Sequence, residues 1–271
     1  PWSAEPSLLI SRALSPAIVS NIIMHRERGE ATVVVGEDQL SKAIGKEGKN
    51  VRLAAKLTEW KIDLVSTREY GIRQRVTEEM TITTRPLKQE VVHVPAPAGF
   101  DFERNGTIVS DSDIACYCRP EKGNHILVGS EDPECDDLVW TEDDTTYDRN
   151  FTDQWTTQAL RYAQRVPTLG VPQTAKGVVD LYDASTDWIP IYDQTSLGGY
   201  YMACGTSGNQ YKNAPIAGKM MAALVDYCEA GNDHDTAPLT FRLPYIERDI
   251  DVGFYSRKRP INEESSFSVL G

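Results

Sequence analysis

The chain has 271 residues, 40% of them hydrophobic and 25% charged, with a formal net charge of −12. Those values suit an ordinary globular protein with room for two domains, and no apolar run is long enough to span a bilayer. The charge is uneven: residues 1–80 carry 12 Lys and Arg against 11 Asp and Glu, and the remainder carries 16 against 29, which assigns any nucleic-acid contact to the first part. The chain starts at Pro1 rather than Met and without a charged-then-apolar leader, and the expectation is a cut or processed piece.

In chain order, residues 7–14 predict a short helix ending before Ser15-Pro16. Residues 19–25 and 31–35 predict two strands joined by a charged turn. A helix over 38–44, with Asp38 near its cap, leads into Gly45-Lys46-Glu47-Gly48. A second helix over 51–57 then places Val51, Leu53, Ala54 and Leu57 on an apolar side, and 61–65 closes as a strand. The order is αββααβ, with Gly-x-x-Gly between two helices.

Four-residue patterns recur by chance, but the surroundings here are specific. Asp38-Gln-Leu-Ser-Lys-Ala-Ile-Gly-Lys-Glu-Gly-Lys-Asn-Val-Arg-Leu, continued to Asp63 and preceded by Ala13-Leu-Ser-Pro-Ala17, resembles the second KH module of the bacterial transcription elongation factor NusA. The resemblance runs from Trp2 to about Ser66. It implies a type II KH fold, a cytoplasmic location, and weak binding of single-stranded RNA beside the transcription machinery. Gly45, Lys46, Glu47 and Gly48 would clamp the backbone of about four nucleotides, and Lys49, Asn50 and Arg52 would approach phosphates and base edges. The bland alternative is that Lys42, Lys49, Arg52 and Lys56 are only the solvated faces of amphipathic helices. Glu47 is a carboxylate beside the phosphate track and keeps affinity modest. The resulting division is 1–68 as the RNA-binding domain and 69–80 as a polar connector.

From residue 81 onward, strands are predicted over 87–94, 107–110, 114–119, 125–129 and 177–182, with an amphipathic helix over 148–165 whose Phe151, Trp155, Ala159 and Tyr162 form a buried stripe. Five cysteines (Cys116, Cys118, Cys135, Cys204, Cys228) make no Cys-x-x-Cys pair, and Cys116 and Cys118 read as packed thiols on one sheet face. Four dispersed histidines leave no metal set. The apolar strand 199–204 runs through a glycine turn, 205–213, into a helix over 214–230 with Asn213 as N-cap and Pro215 in its first turn. Such a turn offers N–H groups and the positive end of a helix dipole to an anion.

With Asp187 and Pro190 before it, Gly205-Thr206-Ser207-Gly208-Asn209-Gln210 followed by Lys212 resembles the C-terminal, substrate-domain half of FAD-dependent oxidoreductases of the D-amino-acid oxidase and sarcosine oxidase family. Tyr117, Arg119, Pro120, Glu121 and Val128, Gly129, Glu131, Asp132 add to it. The resemblance covers 81–271 and implies a mixed, mostly antiparallel sheet with helices, hence an α+β chain as a whole. It further implies noncovalent FAD, since no thiol stands near Asp180, with residues 205–210 at the flavin. Lys212 would hold a substrate carboxylate and Arg119 and Tyr117 would face the reacting centre, though Arg119 equally suits a surface ion pair. Leu127 stands where oxidases carry an oxygen-activating lysine, which favours a dehydrogenase. No Gly-x-Gly-x-x-Gly occurs, so the dinucleotide-binding half is missing, and the expectation is a composite chain, inactive alone, that a dinucleotide-binding partner chain would complete.

Overall fold

A computed structural model describes residues 3–142 and 144–269; Trp2, with which the KH resemblance begins, and Leu270 and Gly271, with which the oxidoreductase resemblance ends, lie outside these. The chain divides into two compact units between Met80 and Thr81.

In the first unit the order is α1 (Pro6–Ala13), β1 (Val19–His25), β2 (Glu30–Val35), α2 (Glu37–Ile44), α3 (Lys49–Thr58), β3 (Lys61–Ser66) and α4 (Thr67–Glu78). The sheet order is β1-β2-β3, with β1–β2 antiparallel and β2–β3 parallel. A parallel pair needs a long crossover, and α2 and α3 supply it. The core holds Ile10 and Leu14 of α1, Ala31, Val33 and Val35 of β2, Ala43 of α2 and Ala54 of α3.

One expectation changes here. Leu53 and Leu57 are 66% and 65% exposed, because α3 turns Ala54 and Thr58 inward and packs Val51 at its edge. Residues 67–78, read as the polar connector, form an exposed helix. Ser66 accepts the Glu69 N–H at 3.0 Å, and Arg73 bridges Asp63 and Glu69 at 2.7 Å each, so a cap and two ion pairs hold a segment with no buried residue. Asp38 lies within the first turn of α2, whose cap position is Gly36.

The second unit is built on β4 (Thr84–Pro95). Its partners are β7 (His125–Ser130) and β8 (Val139–Trp140) on one edge and β9 (Gly177–Ser185) on the other; β6 (Cys116–Glu121) and β5 (Val109–Asp111) continue beyond β7. Every described pairing in this unit is antiparallel, so the expected mixed sheet is corrected; short turns join β5 to β6 and β6 to β7, while longer, helix-carrying connections bring β7 and β9 to β4. The short helix α5 (Phe102–Asn105) precedes β5. Helix α6 (Gln154–Ala163) covers one sheet face, and Ala159 and Tyr162 pack with Val92, Val94, Cys116, Cys118, Ile126 and Val128. The helix begins later than its periodicity predicts, because the Glu90 carboxylate takes the Thr152 N–H at 3.0 and 3.1 Å and keeps the chain before it out of helical register. The hairpin β10 (Ile191–Gln194) and β11 (Tyr201–Cys204) leads to α7 (Ala214–Glu229), and a small hairpin of β12 (Thr240–Arg242) and β13 (Asp249–Asp251) follows.

Candidate functional site

The loop between α2 and α3 is set by its two glycines, for different reasons. Gly45 has φ 71° and ψ 174°, a region nearly reserved for glycine, and a Cβ there would stand 2.7 Å from Asn50 Cβ. Gly48 is left-handed at φ 72° and ψ 15°, but a Cβ there would meet only Arg52 Nε at 3.7 Å. Gly45 therefore faces the protein and Gly48 faces outward.

Asn50, read from sequence as a nucleic-acid contact, is otherwise engaged. Its Nδ2 donates to Lys42 O at 3.1 Å and Leu14 O at 3.2 Å, satisfying a carbonyl in the last turn of α2 and tying the loop to the end of α1. The exposed groups around the loop are Lys46, Lys49 and Arg52, with Lys42 and Lys56 one turn away on either side. Glu47, with positive φ of 56°, lies 3.8 Å from Lys49 in a pair at least 70% exposed, which contributes little in water. The N–H groups opening α3 add about half a positive charge. Ile44, 39% exposed, and Leu53 give apolar surface beside the cations, a feature sequence periodicity missed.

In the second unit, Tyr117 and Arg119 lie on the sheet face away from α6, alternating with the buried Cys116 and Cys118. Tyr117 covers Gly129, where a Cβ would come within 2.4 Å of its ring, and its hydroxyl is hydrogen-bonded to that of Tyr182. Burial pushes both phenols up. Arg119 folds back on its own strand, donating to Glu121 at 3.1 Å, which is the ion-pair alternative. Asp132 nearby is pushed up to about 6 by burial, against a hydrogen bond from Gln89.

The glycine turn meets this face at one point: Gly208 lies against Tyr182, where a Cβ would stand 2.3 Å from the ring. Much of its expected anion seat is already filled from within. Thr206 donates its N–H at 3.0 Å and its hydroxyl to the Asp183 carboxylate, and Ser207, fully buried, accepts the Ser185 N–H at 3.2 Å. Residues 210–213 form a 3-10 turn before α7, and Asn213 stands at the N-cap of α7 as predicted, although its side chain donates to Gln210 at 3.0 Å and makes no cap hydrogen bond. Asn209, 7% exposed, keeps an Nδ2 without a partner. Together with Gln210, Lys212 and Trp188 it lines a hollow of about 390 Å³. Gly205 packs against Ser185 and Thr84.

Asn209, with its unpartnered Nδ2, would suit the acceptor-bearing edge of a flavin ring and Lys212 a substrate carboxylate, while the described residues offer no seat for the dinucleotide part of FAD. The sequence has no Gly-x-Gly-x-x-Gly, and a dinucleotide fold needs parallel strands, which this unit's described pairings lack.

The sequence predicts that the tail from Ala237, Arg257 and Arg259 included, wraps the sheet, but it assigns these arginines no buried role. Arg259 grips Asp187 at 2.7 and 3.0 Å and the carbonyls of Ile189 and Pro190 at 2.6 and 3.2 Å. Burial works to raise Asp187, and the guanidinium outweighs it, holding the carboxyl below its usual range. Arg257 reaches the fully buried Asp193 at 2.8 Å and Asp235 at 2.9 Å. The tail is thereby locked onto the Asp-x-x-Pro turn and β10; a run of Arg and Lys after a glycine-poor stretch gave no hint of burial.

The first part is similar to the transcription termination/antitermination protein NusA of Bacillus subtilis, 51% identical over 81 residues, 29% of this chain and 22% of that protein. The NusA of Thermus thermophilus is 40% identical over 93 residues, 33% of this chain and 24% of that protein. The chain thus spans about a fifth to a quarter of the length of these relatives. Among solved structures, iminodiacetate oxidase from Chelativorans sp. BNC1 is similar with a TM-score of 0.40 and 14% identity, covering 66% of this chain and 55% of the other. Fructosamine oxidase (Amadoriase II) from Aspergillus fumigatus gives 0.41 and 12%, covering 77% and 47%. Residues 6–71 match the family model described as the NusA-like second KH domain.

Proposed function

We propose that this chain is a composite: a single-stranded RNA-binding module of a transcription elongation or termination factor, joined to an incomplete amine or amino-acid oxidoreductase domain that is inactive alone. The observation that carries the RNA-binding part is the exposed ring of Lys46, Lys49 and Arg52 around an outward-facing Gly48 at the start of α3, within the segment that matches a NusA-like KH domain. Lys46 and Lys49 neutralise phosphates, Gly48 lets the backbone come close, and Ile44 and Leu53 offer apolar contact to bases. Affinity is weak because one module contacts about four nucleotides.

The test is anisotropy of a labelled single-stranded RNA 12-mer titrated with the full chain. The pair Lys46→Glu with Arg52→Glu reduces affinity tenfold or more with an unchanged unfolding temperature of the first unit, and Gly48→Asp reduces it as much while lowering that temperature by the strain of a left-handed side chain. Equal binding by these variants refutes the assignment. Gly45 is unsuitable for the purpose, because a side chain there collides with Asn50 before any ligand is involved.

A second function is favoured by the unpartnered Asn209 Nδ2 and by Lys212 in one hollow: the second unit takes the ring end of a flavin held by a separate dinucleotide-binding chain. The flavin supplies a hydride acceptor when bound. Lys212 would anchor a substrate carboxylate, and Asn209 Nδ2 would donate to the acceptor-bearing edge of the ring. Co-purification with such a chain then yields a complex with flavin absorbance; a colourless complex removes the idea.

A further inference from the structure

On the α6 side of the large sheet lies a cavity of about 700 Å³ that none of the motifs above uses. Its size falls within the range of small-molecule sites, roughly 300–1,000 Å³. Its walls come from Lys88 and Glu90 of β4, Asp132 and Asp136 of the following loop, and Gln158 and Arg161 of α6.

The two cations of this wall are engaged, while two of its buried acceptor atoms are not. Lys88 Nζ donates to Asn150 O at 2.9 Å and sits 3.6 Å from Glu90. Arg161 forks onto both oxygens of Asp136 at 2.5 and 2.6 Å. Gln158 is 1% exposed, and its Oε1 has no hydrogen-bond partner; Asp132 Oδ2 is likewise buried and unpartnered. A buried acceptor without a donor is unfavourable and calls for an occupant that brings one. The lining also carries five carboxylates against two cations, so a positively charged occupant gains over a neutral one. Among the described residues no three His, Cys, Asp or Glu side chains converge to hold a metal ion, which directs the choice to an organic cation.

The geometry points to a binding site for a small protonated amine between β4 and α6, its N–H groups donating to Gln158 and Asp132. The site is separate from the hollow lined by Lys212 and needs no flavin.

The probe is 1,4-diaminobutane on the full chain, with 1,4-butanediol at matched ionic strength as the neutral control. Exposed Cys135 lines the same cavity, its Sγ 3.5 Å from Arg161, so its alkylation rate reports occupancy. The diamine raises the unfolding temperature saturably and slows Cys135 alkylation severalfold, and the diol does neither. Gln158→Leu folds like the parent and binds the diamine at least tenfold more weakly; should it fail to fold, Asp153→Asn at the exposed rim weakens binding severalfold. No saturable response to the diamine, an equal response to the diol, or parental affinity in a folded Gln158→Leu chain overturns the proposal.

Discussion

Gly45 and Gly48 look interchangeable in a Gly-x-x-Gly motif and are not. Gly45→Ala forces a Cβ onto Asn50 from a backbone region that costs about 1–3 kcal/mol for any other residue. Gly48→Ala meets open space and costs about 1–2 kcal/mol for the left-handed turn alone. Thermal unfolding of the two variants separates them, with Gly45→Ala the less stable. Asp132 supplies a pH prediction. Its folded pKa of about 6 stands above the value of about 3.9 for an unfolded chain, so its favourable contribution is complete below the unfolded value and disappears as pH rises through 6. Asp132→Asn keeps the bond from Gln89 and removes that loss; the variant gains unfolding temperature over the parent at pH 7.5 and not at pH 4. The identity of the loop residues was legible in the sequence, whereas their direction was not. Asn50 turns inward because Leu14 and Lys42 are brought to it by tertiary packing, whereas Arg119 folds onto Glu121 two residues along its own strand, the ion pair the sequence offered as the alternative.

Among the elements, long periodic segments were readable: β4, α7 and the αββααβ order follow from alternation, apolar spacing and punctuation by glycine. Two-residue and three-residue strands such as β8 and β12 carry too little pattern to be seen. The orientation of α3 was misjudged because Val51, Leu53, Ala54 and Leu57 share one arc of about 160°, and the choice of Ala54 over Leu57 as the inward residue is made by the close approach of α1. Helix α4 buries nothing, so its cap matters more than usual. Ser66→Ala costs about 1 kcal/mol, and hydrogen exchange in residues 67–78 accelerates while that of β2 stays as it was. Arg259 has the opposite character. Arg259→Ala strands the buried Asp187 carboxylate and costs about 3–5 kcal/mol, read as loss of the second unit's unfolding transition at the parental temperature.

At the scale of the molecule, each unit has its own core, so the full chain unfolds in two transitions. RNA at about 100 times its dissociation constant stabilises the first by about 2.7 kcal/mol and leaves the second in place; movement of both together contradicts the division. Contact with about four phosphates gives log affinity a slope against log salt of about −3. The charge split between the units was visible in the sequence. The two hidden arginine anchors, on which the second unit's closure depends, were not, because burial of a cation is decided by partners seventy residues away in the chain. Strand β4 is laddered to β9 across nine positions on one edge while β7 and β8 share the other. A beam clasped from both flanks is the last piece to loosen, so deuterium should reach its central amides only when the whole second unit comes apart, long after the hairpins around it have traded theirs.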